Sequence, residues 1–220
     1  MIKAVLFDLD GTFADTAPDL GYAVNQMRVA RGLPPVPDDK TRPVTSSGAR
    51  GLLRVGFDIT PDHPDYPGMR DEFLEIYQAN LCRETRLFDG MAQLVDALEA
   101  RSFTWGIVTN KAERFALPLM NLLGYGTRAA CVIGGDTTGK LKPHPEPLYA
   151  AARAIKIAPE HCLYMGDDER DVQAGRAAGM KTMAVRYGYL NGSNPASWGA
   201  DAVIDTPLDA LYLLTSSHTE

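Results

Sequence analysis

Short apolar runs that stop at a polar residue or a glycine recur along this chain, and they constrain its fold more than any other feature. The first is Ala4-Val5-Leu6-Phe7, which ends at Asp8. Similar runs lie at Thr104–Val108, Ala129–Ile133, Cys162–Met165 and Thr182–Val185, with Ala202–Ile204 as a candidate edge strand. Runs this short, apolar at successive positions, suit strands buried on both faces. Between them the apolar spacing is helical. Met91–Arg101 carries Leu94, Val95 and Leu98 on one face, and Glu113–Leu123 carries Phe115, Leu119 and Leu122, with a kink expected at Pro118. Helices are also expected at Pro145–Ile155 and Asp168–Ala178, the latter closed by Gly179. Strands that alternate with helices predict an α/β fold.

One stretch breaks the alternation: Asp15 to Arg86 holds no convincing strand. Asp15 or Thr16 can cap a helix that starts near Pro18 and ends at Gly32-Leu33-Pro34-Pro35. Further helices are expected within Ser47–Val55 and Tyr66–Leu81, with a loop over Asp58–Gly68. The 220 residues therefore divide into a Rossmann-like, mostly parallel sheet core (1–14 and 87–220) and an inserted helical cap domain (15–86).

A net charge of −6 disfavours nucleic acid or an anionic membrane as partner. The N-terminus shows neither a signal peptide nor a membrane span. Cys82, Cys131 and Cys162 are widely separated and have no zinc spacing, which suits reduced thiols and a cytoplasmic location. The expected partner is a small molecule, and the sequence does not specify an oligomeric state.

Ligands of open α/β sheets bind beyond the carboxyl ends of the strands. Asp8, Thr109, Gly134 and Gly166-Asp167 stand at those ends. In Asp8-Leu9-Asp10-Gly11-Thr12, two carboxylates two residues apart repel each other unless a cation intervenes. One could attack phosphorus and the other shuttle a proton. Asp167 and Asp171 of the second acidic cluster (166–171) can share one side of a loop and first helical turn, as hard ligands for Mg2+, although acidic residues favour any helix N-terminus. Thr109 and Asn110 offer a hydroxyl and backbone N–H groups to a phosphoryl oxygen, and Lys142 sits in a proline-stiffened segment. Gly134–Lys140 has P-loop spacing, but Leu141 replaces the hydroxyl residue and prolines follow, so a nucleotide loop is not expected.

These motifs, in this order, resemble the haloacid dehalogenase superfamily, in its phosphoglycolate phosphatase-like branch. The resemblance spans essentially the whole chain. It implies a Mg2+-dependent phosphatase acting on a small phosphomonoester, with N-acetylmuramic acid 6-phosphate and 2-phosphoglycolate as candidate substrates and a phosphomutase as the alternative. It implies Asp8 as nucleophile and Asp10 as acid and base. Thr109, Asn110 and Lys142 would hold the phosphoryl group, and Asp8, Asp10 (through its carbonyl), Asp167 and Asp171 the metal. Arg50, in an expected turn at Gly48–Gly51, is the cap candidate for the leaving group. The chain departs from the family pattern at Phe13-Ala14, and at Asp168, where Ser or Thr is usual.

Overall fold

The computed structural model describes residues 1–216. The chain opens with β1 (Ala4–Phe7) and β2 (Ala14–Asp15), then enters α1 (Ala17–Ala30), α2 (Asp38–Thr41), α3 (Gly48–Phe57) and α4 (Tyr66–Ala79). It returns through β3 (Arg86–Leu87) to α5 (Met91–Ala100), β4 (Thr104–Val108), α6 (Glu113–Leu122), β5 (Val132–Ile133) and α7 (Glu146–Ile155). β6 (Cys162–Gly166), α8 (Glu169–Ala177), β7 (Lys181–Val185), β8 (Ala202–Ile204) and α9 (Asp209–Ser216) complete it.

Six strands form one sheet in the order β5-β4-β1-β6-β7-β8, and every pairing is parallel. β1 is central, flanked by β4 and β6, so the strand order reverses around it. Both faces of β1 are covered: Val5 and Phe7 join one apolar cluster, Ala4 and Leu6 another. This is why the run lacks alternation, since side chains alternate faces but each face meets helices. The larger cluster extends into Leu52, Phe73 and Tyr77 of α3 and α4.

Several boundaries differ from expectation. The run Ala129–Ile133 narrows to Val132–Ile133, because the Ala129 N–H bonds back to the Tyr125 carbonyl in a turn. Residues 15 and 86, the limits of the strandless stretch, are themselves in strands: β2 and β3 pair antiparallel, Ala14 with Leu87 and Asp15 with Arg86. Neither Asp15 nor Thr16 caps α1 through its side chain. Asp15 instead accepts from Tyr189 (2.6 Å) and Arg42 (2.9 Å), and Thr16 donates to Asp10 (2.6 Å). The expected loop over Asp58–Gly68 gives way to α4 at Tyr66, and α2, a 3-10 turn at Arg42–Ser47 and α9 were not anticipated. Pro118 lies inside α6.

Phe13, a departure from the family pattern, is fully buried and stacks on Trp105 with centroids 5.5 Å apart, while meeting Phe7 and Tyr125 at steeper angles. Stacked and tilted rings add to burial energy. Phe13→Ala is expected to lower unfolding free energy by about 3–5 kcal/mol, read from urea denaturation, and Phe13→Leu by less, since leucine refills much of the volume.

Candidate active site

Parallel pairing brings the ends of β1, β4 and β6 into line, so Asp8, Thr109 and Asp167 emerge from one edge of the sheet. The Asp8 N–H is tied to the Met165 carbonyl (2.8 Å) and the Thr109 N–H to that of Ile133 (2.9 Å). Asp8, Thr109, Lys142, Asp167 and Asp171 are all buried. One carboxylate oxygen from each of Asp8, Asp167 and Asp171 falls within 4.8 Å of the others.

One cation answers this charge from within. The Lys142 ammonium lies 2.8 Å from Asp8 Oδ1 and 2.7 Å from Asp171 Oδ1, and also donates to the Tyr164 hydroxyl (2.7 Å). Burial alone would push its pKa down, but Asp171 and Asp8 hold it above the ordinary lysine value. Asp8 Oδ1, though close to the ammonium, is a buried atom without a properly directed hydrogen bond. Burial, opposed by Lys142 and reinforced by Asp171, pushes the Asp8 carboxyl up to about 7. Asp167 is fully buried and has no cationic partner among the described residues; burial first, then Asp8 and Asp171, raise its pKa well above the usual carboxylate range. It accepts from the Thr12 hydroxyl (2.9 Å) and the Tyr189 N–H (2.8 Å). Gly11, at φ 88°, passes so close that a Cβ there would overlap the Asp167 carboxylate. Three converging hard oxygen donors offset by a single lysine, with Asp167 left without a cation among the described residues, fit a divalent cation such as Mg2+.

The remaining expected residues fall into place unevenly. Asp171 closes a capping box at the start of α8, its Oδ2 accepting from the Asp168 N–H (3.1 Å), so helix capping and site geometry coincide there. Asp168 also borders the cavity but is chelated by Arg170 (2.7 and 2.8 Å), so this departure stays outside the three-carboxylate group. The Asn110 side chain is spent on the Lys142 backbone, donating to its carbonyl (3.0 Å) and accepting from its N–H (2.9 Å). Only the Asn110 main chain is left for an anion. Arg50 lies in the first turn of α3 rather than in a free turn, because the 3-10 segment leads straight into that helix.

Asp8, Asp10, Thr109 and Lys142 open onto a cavity of ≈ 420 Å3, whose other wall includes Arg50 and Phe73 of the inserted helices. Sequence reasoning missed Lys111, whose ammonium pairs with Asp10 at 2.7 Å, and Ser46, whose hydroxyl reaches Asp167 (3.3 Å). Lys111 directly follows Asn110, already a candidate, and a cation at that strand end is the signal that could have found it; nothing in the local sequence around Ser46 marks it.

A haloacid dehalogenase-like hydrolase family model matches residues 5–185. The chain belongs to that family. The hydrolase is 45% identical over 214 residues to N-acetylmuramic acid 6-phosphate phosphatase of Pseudomonas aeruginosa, covering 97% of this chain and 95% of that one. It is 46% identical over 206 residues to phosphoglycolate phosphatase of Xanthomonas campestris, covering 93% of each. The crystal structure of a predicted phosphoglycolate phosphatase from Haemophilus somnus superposes with a TM-score of 0.86 at 26% identity, covering 97% and 98% of the two chains. The hydrolase is accordingly a phosphoric monoester hydrolase. No described helix is long and apolar enough to cross a membrane.

Because the folded state raises the Asp8 pKa from 3.8 to about 7, it binds this proton more tightly than the unfolded chain does. Stability from this group is present below about pH 4 and lost as pH rises through 7, by up to about 1.4 kcal/mol per pH unit. Metal-free wild type should therefore lose stability relative to Asp8→Asn across that interval in urea titrations. Added Mg2+ should shrink the loss.

Proposed function

We propose that this hydrolase is a Mg2+-dependent phosphatase that passes a phosphoryl group through Asp8 to water, with N-acetylmuramic acid 6-phosphate as substrate ahead of 2-phosphoglycolate. The observation that carries the reading is the buried Asp8 at the cavity wall, set between the Lys142 ammonium and two further carboxylates that have a single lysine among them.

Asp8 and Asp167, with the Asp10 carbonyl, would hold Mg2+, and Asp171 would support that shell while orienting Lys142. When bound, the ion supplies charge neutralisation that lets an anionic nucleophile meet a phosphate. Lys142 and Thr109 hold the phosphoryl oxygens. The Thr109 hydroxyl accepts from the Lys111 N–H (3.1 Å) and donates no hydrogen bond among the described residues, so its proton is available. A carboxylate oxygen of Asp8 attacks phosphorus, and the ester P–O bonding pair leaves with the substrate oxygen, which takes a proton from Asp10. Asp10 then removes a proton from the water that cleaves the aspartyl phosphate. The segment 15–86 acts as a cap whose α3 and α4 cover the cavity and exclude water from the first step.

Cavity size supports the sugar substrate. A two-carbon acid would leave most of ≈ 420 Å3 unfilled, whereas a hexose derivative suits it. Arg50 would meet the substrate's carboxylate. The phosphomutase alternative finds no support among the relatives named above. With the sugar phosphate as substrate, the protein would serve peptidoglycan recycling in the cytoplasm.

Phosphate release from the two substrates, assayed side by side with and without Mg2+, tests this. The expected result is Mg2+-dependent release that favours the sugar phosphate and vanishes in Asp8→Asn. A preference for 2-phosphoglycolate would overturn the substrate assignment, and undiminished release in Asp8→Asn would overturn the mechanism. Arg50→Ala should raise KM for the sugar phosphate by roughly 10-fold or more, the worth of one charged hydrogen bond.

A further inference from the structure

The environment of Asp10 is lopsided. Its Oδ1 carries two contacts, from the Thr16 hydroxyl at 2.6 Å and the Lys111 ammonium at 2.7 Å. No hydrogen bond or ion pair among the described residues engages its Oδ2, although the residue borders the cavity. Lys111 is sheltered, its side chain only 7% exposed. The shelter comes from the inserted helices. The ammonium sits 4.7 Å from the ring centroid of Tyr77 in α4, a cation–π distance, and Tyr77 is itself 1% exposed. The ring is wedged between Phe73 of its own helix and Phe115 of α6, with centroids 6.5 and 5.7 Å away. An ion pair kept from water holds its geometry more firmly than one at the surface.

We propose that Lys111 is a positioning residue: with Thr16 it anchors Oδ1 of Asp10, leaving Oδ2 as the oxygen that exchanges a proton with substrate, and Tyr77 keeps that anchor dry. The inference rests on the acid–base reading of Asp10 given above. It makes α4 part of the apparatus that aims the proton donor, so seating of the helical segment and aim of Asp10 are linked through one ring.

Leaving-group chemistry separates this role from a merely structural one. An alkyl phosphate must receive a proton as its P–O bond breaks, whereas 4-nitrophenolate departs without one. We would compare kcat/KM for an alkyl phosphomonoester (whichever of the two candidate substrates is turned over) and for 4-nitrophenyl phosphate. The enzymes are wild type, Asp10→Asn, Lys111→Met, Lys111→Arg and Tyr77→Leu, all with Mg2+. Asp10→Asn sets the scale, its loss being expected to be 100-fold or more larger with the alkyl ester. Lys111→Met should show the same imbalance, about 10-fold or more; Lys111→Arg should recover part of it, and Tyr77→Leu should show it in smaller degree. Equal losses on both substrates in Lys111→Met would overturn the proposal, marking Lys111 as a phosphate contact or a folding determinant. So would an unimpaired Lys111→Met enzyme. An Asp10→Asn enzyme without the imbalance would instead overturn the acid–base reading of Asp10, and this inference with it.

Discussion

The structure turns on the repulsion among Asp8, Asp167 and Asp171, three carboxylates gathered in a buried space with one lysine among them. Like charges at this separation cannot all stay ionised without help, and burial withholds help from water. The fold supplies part of the answer. Lys142 is clamped by its backbone to Asn110 and by its side chain to Tyr164, so its ammonium cannot drift from the carboxylates it serves. The shortfall, concentrated on Asp167, is one that a divalent cation would relieve. A site built this way trades stability in isolation for readiness to bind.

Much of this was legible in the sequence. The core strands announced themselves because continuous apolar runs have one ready explanation in a chain of alternating elements: burial on both faces of a parallel sheet. Once those strands were placed, their ends placed Asp8, Thr109 and Asp167 together with no further information. Side-chain commitments were not legible. Asn110 reads as a phosphate ligand until the backbone of Lys142, 32 residues on, takes both ends of its amide. Thr16 reads as a helix cap until Asp10 captures its hydroxyl. In both cases local chemistry offered two uses for one group, and a tertiary partner decided between them. Ala129 failed for the opposite reason: a local turn bond to the Tyr125 carbonyl outcompeted the strand pattern.

The inserted helices are not a separate body resting on the sheet. Leu52, Phe73 and Tyr77 belong to the same apolar cluster as Phe7 and Met165, and Arg170 of α8 reaches the Ser46 carbonyl at 3.1 Å. Ser46, at the end of the 3-10 turn, reaches back to Asp167. Polar threads between insert and core therefore converge on the carboxylate cluster, while apolar ones run beneath it.

The pairing of β2 with β3 has a consequence for how such a molecule can be rebuilt. Because Ala14 faces Leu87 and Asp15 faces Arg86 in a two-stranded ribbon of their own, the insert departs and returns through neighbouring residues. To the core it is a single closed loop, however many helices it contains. Its ends need only a two-residue ribbon, so a change of length in the loops between its helices costs the ribbon nothing in register. The junction is thus a hinge-like seam of four residues, where the chain's two crossings between core and insert are held side by side.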